Sequence, residues 1–167
     1  MKHAVQIEVL RELLQQLDEG VNADAGGVRA APATTYTCPD LAKQEWARFF
    51  RGHPQVVGMS GDLPEPGSFM TTEDFGVPVL VTRDRDGVAH AFLNACRHRG
   101  SMVEQAPKGR KTLFTCPFHA WTYDAAGALV GLPMEAHFGA VDRACLGLVE
   151  LPCVEHLGFL LVHPDPK

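Results

Sequence analysis

Apolar residues in the first twenty positions recur at spacings of three and four: Ile7, Leu10, Leu13, Leu14 and Leu17. That period lines them along one face and predicts an amphipathic helix, with Gly20 as its C-cap. Residues 22–35 carry no period and are rich in Gly, Ala and Pro, which predicts a connector. A second helix is expected after Pro39, with Leu41, Trp46, Phe49 and Phe50 along one side, ending near Gly52-His53-Pro54. Both helices are expected to pack against the domain or a neighbouring subunit.

From Gln55 onward the pattern changes to short alternating or β-branched runs at residues 55–60, 68–72, 77–83, 88–94, 112–115, 147–151 and 158–163. Turn signals separate them, among them Leu63-Pro64-Glu65-Pro66-Gly67, Ala126-Gly127 and Leu132-Pro133. Asp86-Gly87 predicts a hairpin turn, because both residue types tolerate positive φ. Many short strands at this spacing imply a mainly β fold, an antiparallel sandwich or barrel, preceded by helices. The expected organisation is a helical extension over 1–54, a β domain over 55–163 and the start of a linker at 164–167.

Composition narrows the function classes. A chain of 167 residues suffices for one packed domain. A formal charge of −5 argues against a nucleic-acid partner, which asks for a concentrated basic surface. No apolar run approaches the roughly 18 residues that cross a bilayer. Glu8, Arg11 and Glu12 interrupt any signal-peptide core, so a cytoplasmic location without membrane contact is expected. Five irregularly spaced cysteines do not form a secreted disulfide framework; Cys38, Cys145 and Cys153 are expected to be small buried apolar residues.

Chemistry concentrates in two segments, Cys96-Arg97-His98-Arg99-Gly100 and Cys116-Pro117-Phe118-His119, each just past an expected strand. The pattern is C-x-H, seventeen residues, C-x-x-H. Two thiols and two imidazoles on tight loops predict a metal site, since thiolate suits zinc and iron–sulfur centres and imidazole suits zinc and iron. A single zinc accepts the same donors, but its pairs usually run C-x₂₋₄-C and H-x₃₋₅-H. One Cys and one His per loop fit a two-iron cluster better, the cysteines on one iron and the histidines on the other. Zinc and a coincidental group of core residues remain the alternatives.

The run Phe92-Leu93-Asn94-Ala95-Cys96-Arg97-His98-Arg99-Gly100, followed by Cys116-Pro117-Phe118-His119-Ala120-Trp121-Thr122-Tyr123-Asp124, resembles the Rieske domain of aromatic ring-hydroxylating oxygenase α subunits. The likeness extends through Leu63-Pro64-Glu65-Pro66-Gly67-Ser68-Phe69 and Gly147-Leu148-Val149-Glu150-Leu151, and so covers roughly residues 36 to 163. It implies stacked antiparallel sheets with a [2Fe–2S] cluster at the tip of two loops, held by Cys96, His98, Cys116 and His119. It further implies a ferredoxin or flavin reductase as electron donor. The acceptor would be a mononuclear Fe(II) in a catalytic domain, lying in the neighbouring protomer of a trimer. The intact enzyme's chemistry would be O₂- and NAD(P)H-dependent hydroxylation or demethylation of an aromatic or related small molecule.

Departures from related patterns sharpen these expectations. Rieske proteins of respiratory and photosynthetic complexes carry two further loop cysteines, where this chain has Ser101 and Phe118. Trp121 stands where those proteins place a serine that donates to the cluster. Fewer donors predict a potential at the low end of the range known for Rieske centres as a class, roughly −150 to 0 mV. The H-x-x-x-x-H pair of the oxygenases' mononuclear iron site is missing. The chain by itself is therefore expected to move electrons and not to hydroxylate; His3, His53, His90, His137, His156 and His163 are expected to be ordinary packing or surface residues. Arg97 and Arg99 either pair with local carboxylates or dock a partner. Trp121 and Tyr123 are expected to pack against the cluster loops, Gly100 and Pro117 to shape their backbone, and the basic run Lys108-Gly109-Arg110-Lys111 to be a solvated hairpin tip. The alternative function is a stand-alone Rieske-type ferredoxin; the extension before the first strand weighs against it. A zinc-binding structural module is the third class.

Overall fold

The computed structural model describes residues 2–21 and 26–166, so residues 22–25 of the expected connector lie outside the described residues, as does Lys167. The chain divides into two compact units, Met1–Cys38 and Pro39–Lys167. In the first, helix α1 (His3–Glu19) ends at Gly20, whose φ of 64° lets the chain turn back; the Gly20 and Val21 amides then donate to the Leu17 and Gln16 carbonyls. No residue of α1 is buried, so its apolar face finds no cover within its own unit. A single turn, α2 (Thr34–Thr37), closes this unit.

The second unit begins with α3 (Pro39–Glu45), which widens into a π-helical turn at Trp46–Phe50 where the Trp46 and Phe50 rings meet at 5.1 Å. Eleven strands follow: β1 (Gln55–Met59), β2 (Ser68–Thr72), β3 (Val79–Arg83), β4 (Ala89–Leu93), β5 (Lys108–Arg110), β6 (Leu113–Thr115), β7 (Thr122–Asp124), β8 (Leu129–Gly131), β9 (Glu150–Leu151), β10 (Cys153–His156) and β11 (Phe159–Val162). They form three antiparallel sheets, ordered β1-β11-β10, β5-β2-β3-β4-β9 and β6-β7-β8.

Alternation along the central strands explains the stacking. Successive strand residues point to opposite faces. Phe69, Leu80 and Phe92 enter one core with Phe114, Trp121, Tyr123 and Leu129 of the β6-β7-β8 sheet. Their neighbours Met70, Val79, Val81 and Ala91 enter a second core with Leu160 and Val162 of the β1-β11-β10 sheet. The five-stranded sheet is thus apolar on both faces, and every residue of β3 is buried. At the edge, Arg83 forks onto Glu155 at 2.9 and 3.0 Å and donates to the Gly87 carbonyl, tying β3 to β10 and to the β3–β4 turn.

Three local expectations change. The β3–β4 connection is a longer loop than a two-residue turn: only Gly87 takes positive φ (81°), and the Asp84 carboxylate replaces a second left-handed residue by accepting from the Asp86 and Val88 amides. The basic run is edge strand β5, not a free tip, and Lys108, Arg110 and Lys111 pair with Asp62, Glu65 and Glu104. Cys145 is exposed, its thiol donating to Asp142, while Cys38 and Cys153 are half-buried. Among the described residues no helix is long and apolar enough to cross a membrane.

Candidate metal centre

Two loops at one end of the β6-β7-β8 and central sheets bring the four expected ligands together. The first leaves β4 at Asn94 and the second joins β6 to β7. Both close in the same way. The Gly100 amide donates to the Cys96 carbonyl at 2.8 Å, and the Ala120 amide donates to the Cys116 carbonyl at 3.0 Å. Each fifth residue is left-handed, Gly100 with φ 73° and Ala120 with φ 58°. Return bonds from Cys96 N to the Ser101 carbonyl and from Cys116 N to the Trp121 carbonyl, both 2.8 Å, complete the pair. Sequence reading anticipated an unusual φ at Gly100; the matching Ala120 was missed, because alanine gives no signal for a conformation it rarely adopts.

Cys96 and Cys116 are buried, and the nearby Cys116 thiol helps to push the Cys96 thiol up. His98 is half-buried and His119 exposed, with ring centroids 4.7 Å apart. Among the described residues no three His, Cys, Asp or Glu side chains are grouped for one ion. The four donors stand as a thiol pair and an imidazole pair, which suits a two-iron cluster with the cysteines on one iron and the histidines on the other. The donor set therefore fits a [2Fe–2S] group.

Neighbouring residues support both pairs. The Arg97 amide donates to the Tyr123 hydroxyl at 3.0 Å, and that hydroxyl lies 3.4 Å from Cys96 Sγ, placed to donate to a thiolate there. Burial and the adjacent Cys96 push the Tyr123 phenol well above its ordinary value, so it stays a donor. Burial also raises the Cys96 thiol, against hydrogen bonds from Tyr123 and the His98 amide that favour the thiolate. Burial, then His119 and Arg99, lower His98 and favour the neutral imidazole that binds metal. Trp121 is buried and stacks on His98 at 5.0 Å and 8°. It offers the thiols no hydroxyl, but Tyr123, packed in the same core, lies with its hydroxyl against Cys96. Arg97 and Arg99 are exposed, and among the described residues neither makes an ion pair. Pro117 is exposed beside Cys116.

Sequence reading also missed Asn94. Its side-chain amide donates to the Glu104 carbonyl at 2.7 Å and accepts from the Val103 and Glu104 amides at 3.0 Å, cinching the base of the first loop. Its position two residues before Cys96 was the available clue.

The family model of the Rieske [2Fe-2S] domain matches residues 53–154, more than half of the chain and both Cys/His loops. The chain belongs to the Rieske [2Fe-2S] domain family. Its cofactor is accordingly a Rieske-type [2Fe–2S] cluster. The Rieske chain is 41% identical over 115 residues to benzene 1,2-dioxygenase subunit alpha of Pseudomonas putida, covering 69% of this chain and 25% of that one. It is 33% identical over 156 residues to the chloroplastic choline monooxygenase of Amaranthus tricolor, covering 93% and 34%. Among solved structures, a quaternary ammonium Rieske monooxygenase of carnitine oxidation by gut microbiota, described for its inter-subunit electron transfer, superposes with a TM-score of 0.71 at 28% identity, covering 79% of this chain and 36% of that one. The Rieske chain thus spans a quarter to a third of the length of these curated relatives. The relatives are oxygenases whose named substrates include both an arene and quaternary amines, a wider set than the aromatic ring alone.

Proposed function

We propose that this chain is the electron-relay part of a Rieske oxygenase of the ring-hydroxylating type. Cys96 and Cys116 would hold one iron, and His98 and His119 the other. When bound, the cluster supplies one-electron chemistry between a donor and an acceptor. Residues 55–163 form the relay domain; the location is cytoplasmic. The donor is a ferredoxin or flavin reductase drawing on NAD(P)H. The acceptor is a mononuclear non-haem iron in a catalytic domain outside this chain, belonging to a neighbouring protomer of a trimer. The product chemistry is O₂-dependent hydroxylation or demethylation of an aromatic or related small molecule.

The observation that carries this reading is the asymmetry of the donors. The thiol pair lies inside the core while the imidazole pair reaches the surface, His119 being exposed. Tyr123 holds the thiolate side by its hydroxyl, Trp121 keeps water from one face of His98, and Arg97 and Arg99 leave a positive rim for docking. The test is anaerobic loading of the chain with iron and sulfide. Iron and sulfide in equal amounts and a rhombic EPR signal on reduction are expected, both lost in His98→Ala and Cys116→Ser. Colourless protein that takes up zinc instead would overturn the assignment.

A further inference from the structure

The connection from β8 to β9 leaves one sheet at the buried Leu132 and reaches the next at the buried Leu148, whose amide donates to the Gly127 carbonyl at 2.8 Å. Both ends are thus anchored in the core. Between them the chain bends at two left-handed residues, Met134 (φ 54°) and Gly139 (φ 72°), which bracket a short helical turn at Glu135–Phe138. A left-handed methionine is uncommon and persists only where its surroundings hold it. Here the holding contact is Arg143, which forks onto both Glu135 carboxylate oxygens (3.1 Å from Nε to Oε1) and donates to the Val130 carbonyl at 3.2 Å. Asp142 in turn caps the Arg143–Leu146 turn by accepting from the Ala144 amide.

The bracketed turn delivers one side chain to the metal centre. Phe138 meets His98 edge-on at 5.8 Å and 85°, and Trp121 at 5.7 Å and 78°. Because His98 and Trp121 are themselves stacked, the three rings form a closed aromatic corner. Phe138 is 44% exposed while Trp121 is 5% exposed, so the phenylalanine is the outer wall of that corner and the tryptophan lies behind it.

We propose that residues 132–148 act as a strap over the metal centre, in which Phe138 is a positioning residue that locks the His98 ring against Trp121 and shuts water out of that side, and the Glu135–Arg143 fork holds the strap in register. The proposal rests on His98 being a cluster ligand. A redox centre whose reduced form carries more negative charge is stabilised by nearby water, so opening the strap raises the potential.

The test uses the full chain with Trp46→Phe, which leaves Trp121 as the sole tryptophan. In the metal-free chain, Phe138→Ala and Glu135→Gln are each expected to increase acrylamide quenching of Trp121 severalfold, and Phe138→Leu to restore most of the protection. In the loaded chain at one fixed pH, Phe138→Ala is expected to raise the reduction potential and broaden the EPR signal as His98 gains freedom, with Phe138→Leu again near the parent. Unchanged quenching in Phe138→Ala, or an unchanged potential, overturns the strap. Failure of the parent chain to load any cluster overturns the ligand assignment instead, and the quenching result still judges whether the corner is closed.

Discussion

Replacing Asn94 by alanine removes the side chain that ties the base of the Cys96–Gly100 loop to residues 103 and 104, and its cost follows from the bonds lost. Asn94 is 1% exposed, and the Val103 and Glu104 residues that donate to it are also buried. Water cannot take over those two amides, and a buried unsatisfied group costs about 1–3 kcal/mol. The Glu104 carbonyl also loses its donor, a smaller loss because carbonyl oxygens are more often left under-satisfied. The expected destabilisation is about 3–4 kcal/mol, a large part of the roughly 5–15 kcal/mol that holds a domain folded. At roughly 2–4 °C per kcal/mol for a chain of this size, the melting temperature should fall by about 10 °C. Thr82→Val is the control. It removes one buried bond, Oγ1 to the Ala125 carbonyl at 2.6 Å, for about 1 kcal/mol, from the same central sheet but not from a ligand loop. Melting curves of the metal-free chains and iron content after gel filtration of loaded ones read the two effects. Asn94→Ala should lose iron as well as stability, and Thr82→Val only a little stability. An Asn94→Ala chain that melts with the parent and keeps its iron would refute the cinch.

Further outcomes follow from other contacts. Tyr123→Phe deletes the hydroxyl that donates to Cys96 Sγ, so the reduced cluster loses a donor and its potential should drop by about 60 mV, one tenfold step in a one-electron couple; a mediated EPR titration reads it, and an unchanged value would deny the bond any electronic role. Glu104 is buried, which alone would raise its carboxyl, yet bonds from Lys111 and the Ala106 and Gln105 amides outweigh burial and hold it below 4.5. Its folded pKa is thus depressed, so its contribution to stability is present above about pH 4.5 and lost as pH falls through the folded value; Glu104→Gln should flatten the acid side of a stability–pH curve measured by urea unfolding, and an unaltered slope would count against the linkage. Gly127→Ala would place a Cβ 2.4 Å from Phe92 Cε1 at a residue with φ 81°, combining a left-handed penalty with overpacking for a loss of about 2–4 kcal/mol; a melting temperature equal to the parent's would contradict that geometry.

Much of the fold was legible along the chain. Runs at 68–72, 77–83 and 88–94 marked strands β2, β3 and β4, because side-chain direction has a period of two whatever the strand pairs with; that both of their faces are buried came only from the stacked sheets. Helix α1 and its Gly20 cap were equally local. Strands β5, β7, β8 and β10 were not legible: they are short, and Lys108–Arg110 carries no apolar residue at all, so only pairing with β2 makes it a strand.

The sequence itself narrowed the metal chemistry, since thiol and imidazole donors at C-x-H and C-x-x-H spacing can serve few purposes, and the match to the Rieske [2Fe-2S] family model selected the two-iron cluster. What surrounds those donors was decided by tertiary structure. Tyr123 reaches Cys96 across twenty-seven residues because the β6–β7 register turns it inward opposite Phe114. Lys111 meets Glu104, and Phe138 meets His98, only once separate sheets and connections have stacked. A residue's type is written in the chain, but a contact between distant residues depends on register and layer order, which no local pattern encodes.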